Sequence, residues 1–116
     1  MDEPRTPNER FQADLGRTVD RLRTLGLARL KASFEPEPSR ADAAHALAAR
    51  LADAAADLEG TPRRPLPRVA EQAVGDQVAV CGHDLLAAAS AAADRAVGDA
   101  VLSLAADDLL DLRRRI

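Results

Sequence analysis

The run Cys81-Gly82-His83-Asp84 holds the only cysteine of the chain and one of its two histidines. It is therefore where nucleophilic or metal chemistry would be sought. A cysteine nucleophile needs a base within hydrogen-bond reach and a third group to orient that base. On a regular helix, residues two apart lie about 160° from each other around the axis. Cys81 falls on an apolar stripe and His83 on the opposite side, so they form no dyad unless Gly82 breaks the helix. Cys81 then reads as a small core residue. Zinc would need four converging ligands, with helical ones three or four residues apart. His45, the other histidine, falls on the outer face of its own helix, away from the leucines.

Two carboxylates extend the candidate polar site to His83, Asp84 and Asp108. Asp108 is bracketed by Val101, Leu104, Ala105 and Leu112, and Asp84 flanks the stripe of the preceding helix. Turned inward together, they would repel, and at least one would hold its proton to unusually high pH. At the edge of their helices they reach solvent or an arginine instead. The basic clusters Arg63-Arg64 and Arg113-Arg114-Arg115 suit a connection and the negative end of a helix dipole. No glycine-rich phosphate loop, dinucleotide fingerprint or serine-nucleophile elbow is present, so no cofactor is expected and the balance leans away from an enzyme.

Helices must position these groups. Val74, Val78, Cys81, Leu85, Ala88 and Ala92 step by three and four, as do Gly98, Leu102, Ala105, Leu109, Leu112 and Ile116. Such steps draw one apolar stripe along a helix, which a neighbouring helix must cover. Val69, Val80 and Ala87 lie opposite the first stripe, and this surplus apolar surface is the candidate interaction face. Gln77–Gly82 alternates like a short strand, but no other β-rich segment exists to pair with it.

A first helix is expected from Pro7 or Asn8, with Asn8 as its cap, burying Phe11, Leu15, Val19, Leu22 and Leu25. Its apolar positions shift at Gly26 to Leu27, Leu30 and Phe34. The reading is a continuous helix to about Ser33 whose end wraps over the bundle tip. Glu35-Pro36-Glu37-Pro38 stops it. Ser39 caps a second helix, with Asp42 at its third position, and Gly60 ends it. Three prolines in Thr61–Pro67 force an extended connection, stiff enough to cross one end of the bundle. Beyond it, Ser90 or Asp94 could start the last helix. The weak repeat of Ala73-Val74-Gly75-Asp76 in Ala96-Val97-Gly98-Asp99 would instead make Asp76 and Asp99 the caps.

The 116 residues suit a single core. Apolar residues form 47% and charged residues 30% of the composition, as in an ordinary globular protein. Alanine, the best helix former, dominates; Lys31 is the only lysine among many arginines, and Phe11 and Phe34 are the only aromatics. That usage fits a GC-rich bacterial genome. A net charge of −3 and the lack of aromatic platforms speak against nucleic acid. No apolar run approaches the roughly 20 residues that cross a bilayer. The acidic start Met1-Asp2-Glu3-Pro4 is unlike a signal peptide, and a lone cysteine makes the cytoplasm the expected compartment.

The prediction is an all-α four-helix bundle, mostly antiparallel, with helices near 8–33, 40–59, 67–89 and 91–115. It forms one domain over 8–116 behind a flexible leader at 1–7. Alanine faces bury little area per residue, so a homodimer through the third or fourth helix is expected to supply the rest. The expected role is a small helical protein-interaction or regulatory module, with protein or self as partner and no membrane. A ligand-binding bundle or enzyme using interior Asp84, Asp108 and His83 is the alternative.

Overall fold

Local signals decide where each helix starts and stops. The computed structural model describes residues 6–116. Helix α1 spans Pro7–Thr24 and is capped by Thr6 rather than Asn8. The Glu9 amide donates to Thr6 Oγ1 at 3.1 Å, and the Thr6 amide donates back to Glu9 Oε1 at 3.2 Å. This reciprocal box satisfies two amides that the helix start leaves open. Pro7, one of the two expected starts, is the first helical residue, so the leader expected at 1–7 ends before it; residues 1–5 lie outside the described part.

The first helix does not continue to Ser33. Leu25 and Gly26 are both extended, and a separate short helix, α2, spans Leu27–Lys31. The break resolves the shift in apolar positions. By leaving the α1 axis, the chain buries Leu25 and Leu30 while Leu27 remains 45% exposed. α2 then packs on the start of helix α3, Arg40–Glu59. The α3 limits are those expected: Ser39 Oγ accepts from the Asp42 amide at 3.0 Å, and Gly60 adopts the left-handed conformation that ends it. Leu47 and Leu51 are buried and Leu58 is half-buried, as their spacing requires.

The third expected helix, 67–89, starts later and ends slightly later. Residues 61–70 carry no regular structure, Glu71–Ala73 make one 3-10 turn, and helix α4 spans Val74–Ala91. Helix α5 spans Arg95–Arg115, capped by Asp94, whose carboxylate accepts from the Ala96 and Val97 amides. Asp76 and Asp99 lie inside helices and cap neither. Both apolar stripes face the core, apart from a half-buried Ala92. Gln77–Gly82 is helical, and no strand exists among the described residues. No helix among them is long and apolar enough to cross a membrane.

Gly75, Gly82 and Gly98 do not break their helices; they let helices touch. A Cβ at Gly82 would sit 2.4 Å from a Leu15 methyl, and one at Gly98 would sit 2.7 Å from the Ala89 carbonyl oxygen. α5 thus lies on the backbone of α4 at Gly98, while at Gly82 the Leu15 side chain of α1 rests directly on the α4 backbone.

Side-chain pairs reveal the directions. Asn8 meets Ser90, and Arg23 meets Asp76 at 2.8 Å, so α1 and α4 run antiparallel. Glu37 meets Arg115 and Arg50 meets Asp108, so α3 and α5 do as well. The two most extensive contacts are different. α1 and α5 run parallel, with Arg10 on Asp107, Thr18 on Leu109 and Arg21 on Ile116. α3 and α4 also run parallel, with His45 beside Gln77 near both starts. A 20-residue α3 is about 30 Å long. Ten extended residues of about 3.3 Å each return the chain to its beginning. The proline-rich connection therefore runs along the bundle as a strap; it does not cross one end.

Alanine substitutions separate the glycine roles by their urea-denaturation midpoints. Gly98→Ala meets a carbonyl that cannot yield, and it should lose about 1–2 kcal/mol after the helix-propensity gain of about 1 kcal/mol. Gly16, with nothing within 4 Å of its Cβ position, should instead gain up to about 1 kcal/mol as alanine.

Candidate interaction surface

The strap is tied down at both ends. Near the end of α3, Arg63 donates to both carboxylate oxygens of Asp57 at 3.0 and 2.7 Å. Near the start of α3, Arg68 donates to Asp42 at 2.7 Å. Gln77 of α4 donates its amide to the Pro67 carbonyl at 2.7 Å, while its oxygen accepts from His45 Nδ1 at 3.0 Å. His45 is therefore half-buried between α3 and α4, not on an outer face. Its ring nitrogen carries the proton on that side because an amide oxygen only accepts. The Ser39 hydroxyl, and then Arg68, hold the Asp42 carboxyl below its usual range; Arg63 does the same to Asp57.

Between its ends the strap stands away from the helices. A hollow of about 800 Å³ lies between Thr61–Pro67, the second half of α3 and α4. Its floor includes Ala52, Ala55 and Ala87, and Arg64 and Asp84 stand on its lining. Leu66 packs partly onto the core and separates this hollow from a second one of about 330 Å³. Val69, Val80, Ala73 and the edge of Cys81 line the second hollow, which is almost wholly apolar. The three residues expected to form an interaction face thus share one surface, joined by Leu66 and Asp84. Val80 is 60% exposed and Val69 41%.

The polar candidates do not converge. Asp84 is exposed on this surface, whereas His83 is exposed in a recess of about 210 Å³ between α1 and α4, near Gln12, Asp20 and Arg23. Asp108 is exposed on α5, 3.8 Å from Arg50. The interior Asp84–Asp108 pair is not formed, because both carboxylates lie at the water-facing edges of their helices. Cys81 is buried on the core side of α4 and His83 exposed beyond it, as the helical spacing requires. Burial, and secondarily the negative Asp84, pushes the Cys81 thiol up, which disfavours the nucleophilic thiolate. Among the described residues no three His, Cys, Asp or Glu side chains stand where they could hold a metal.

Sequence reasoning missed the one buried ionic cluster among the described residues. Asp14, 7% exposed, receives Arg113 at 3.0 Å. Arg113 also donates to Thr18 Oγ1 at 3.1 Å, and Thr18 donates to the Leu109 carbonyl at 3.2 Å. The signal was the position of Asp14 and Thr18, one residue before Leu15 and Val19 on the buried side of α1. Every member has a partner inside the α1–α5 contact, so the cluster is a structural lock rather than a site. At the other edge of α5, the Arg40 and Arg115 guanidinium groups stack on the Phe34 ring, each 4.8 Å from its centroid.

No family model, curated protein or solved structure matches the chain, so only its own geometry speaks to its role. What that geometry defines is an all-α bundle with one strap-bordered apolar surface.

The strap anchors carry a pH dependence. Asp42 and Asp57 have lowered folded-state pKa values, so they stabilise the fold above the unfolded carboxylate range and cease to do so as pH falls through those lowered values. NMR titration should show both protonating below pH ~4. Arg68→Ala should raise Asp42 only partway, because the Ser39 hydrogen bond, the larger cause, remains.

Proposed function

We propose that this chain is a helical protein-interaction module whose docking surface is the outer face of α4 together with the strap. The observation that supports it is the clustering of Leu66, Val69, Val80 and Ala87 around two adjoining hollows. Exposed apolar groups scattered singly need no explanation, but a contiguous patch with a polar border marks a contact surface. The partner is a protein, a second copy of the chain included. The compartment is a reducing one such as the cytoplasm, where the lone Cys81 stays a thiol. An enzyme or ligand-binding role for His83, Asp84 and Asp108 has no geometric support, since the three stand apart.

A photo-crosslinker introduced at Val80 or Val69 in the producing cell should yield protein adducts, whereas one at exposed Arg17 on α1 should yield none. Val80→Asp should abolish the adduct formed from position 69 while changing stability by no more than about 0.5 kcal/mol. Failure of both positions 80 and 69 to trap any protein would remove the reading.

A further inference from the structure

We infer that the α4–strap surface docks a second copy of this chain about a two-fold axis, with Arg64 of each copy paired to Asp84 of the other. This inference rests on the docking surface proposed above and names its occupant.

The first argument is charge. Arg64 and Asp84 line the same hollow, both are exposed, and neither makes a hydrogen bond or ion pair among the described residues. Around them the other strap arginines are already engaged, Arg63 by Asp57 and Arg68 by Asp42. Arg64 is the unpaired cation of the hollow, and Asp84 on α4 and Glu59 at the end of α3 are its unpaired anions. Of the two, Asp84 stands on the α4 face that would meet a second copy, which makes that face self-complementary. A two-fold axis converts such a face into two equivalent ion pairs.

Shape and area agree. Val80 and Ala87 are seven residues apart on the outer face of α4, so two α4 helices crossing antiparallel set each Val80 against the partner's small Ala87. The 18 residues of α4 extend about 27 Å, and helix plus strap are about 20 Å wide. That is on the order of 600 Å² per copy, at the lower limit for a specific interface and consistent with a dimer of modest affinity. The other exposed large apolar side chains are Leu27, alone on α2, and Val97 and Leu104 on α5, where Leu104 is 67% exposed. Asp107, Asp108 and Asp111 surround Leu104 and are already paired with Arg10, Arg50 and Arg115, so they offer a second copy no free charge to pair with.

Sedimentation velocity on the full chain, across a micromolar concentration series with helicity checked by circular dichroism, tests the pairing. Wild type should dimerise. Arg64→Asp and Asp84→Arg should each weaken the dimer by at least about tenfold, since each reversal acts twice. The double variant Arg64→Asp/Asp84→Arg should recover it. A wild type that stays monomeric to ~100 µM overturns the inference, as do single reversals without effect or a double variant that fails to recover. Adducts at position 80 whose mass shows only a different protein would overturn the second copy while preserving the docking surface. Absence of both dimer and adduct would overturn both.

Discussion

Two neighbouring helices that run in the same direction cannot be joined by a tight turn. The chain must travel back the whole length of the first before it can begin the second. α3 and α4 impose that requirement here, and residues 61–70 are the response to it. Proline keeps the return path extended, and Arg63, Arg68 and Pro67 fasten it at its ends. Because the strap is anchored at its ends and at Leu66, the space beside it is left unfilled. The hollows, the exposed Val69 and Val80 and the free Arg64 all follow from this one connection.

The core carries the same economy of side chains. Among the described residues Phe11 is its only fully buried aromatic; the remainder is leucine, valine and alanine, with Cys81 and Ile116. Small residues bury little area each, so close approach must compensate, and dispersion contacts fade quickly with any gap. Gly82 against Leu15 and Gly98 against Ala89 provide that approach. The outcome is a flat molecule, 43 × 42 × 21 Å. A slab this thin has few places to hide an apolar outer face of α4.

Much of this was legible beforehand, element by element. Ser39 and Gly60 marked α3 to the residue because each signal is local and unopposed. The stripes of α4 and α5 were legible for the same reason, as was the separation of Cys81 from His83. The break after Thr24 was not: the apolar positions shifted at Gly26, but a bend and a rotated continuous helix leave the same pattern. Helix direction was hidden altogether, since a proline-rich segment reads alike whether it crosses an end or runs lengthwise. Val69, Val80 and Ala87 were legible as surplus apolar surface, whereas Arg64 gained its significance only from the partners its neighbours found. His45 was misread because the leucine stripe does not reveal that α4 also covers the flank of α3.

The lock between α1 and α5 bears on how the molecule is made. Asp14 and Thr18 meet Arg113 across 99 and 95 positions, and Arg21 meets Ile116 across 95. At roughly 5–20 residues per second of synthesis, α1 waits on the order of 5–20 s for its parallel neighbour to leave the ribosome. During that interval the acidic Asp14 and the ring of Phe11 share an uncovered helix face, and the charge keeps that face from being wholly apolar. A group buried in the finished bundle would thereby act earlier as a guard against aggregation of the nascent chain.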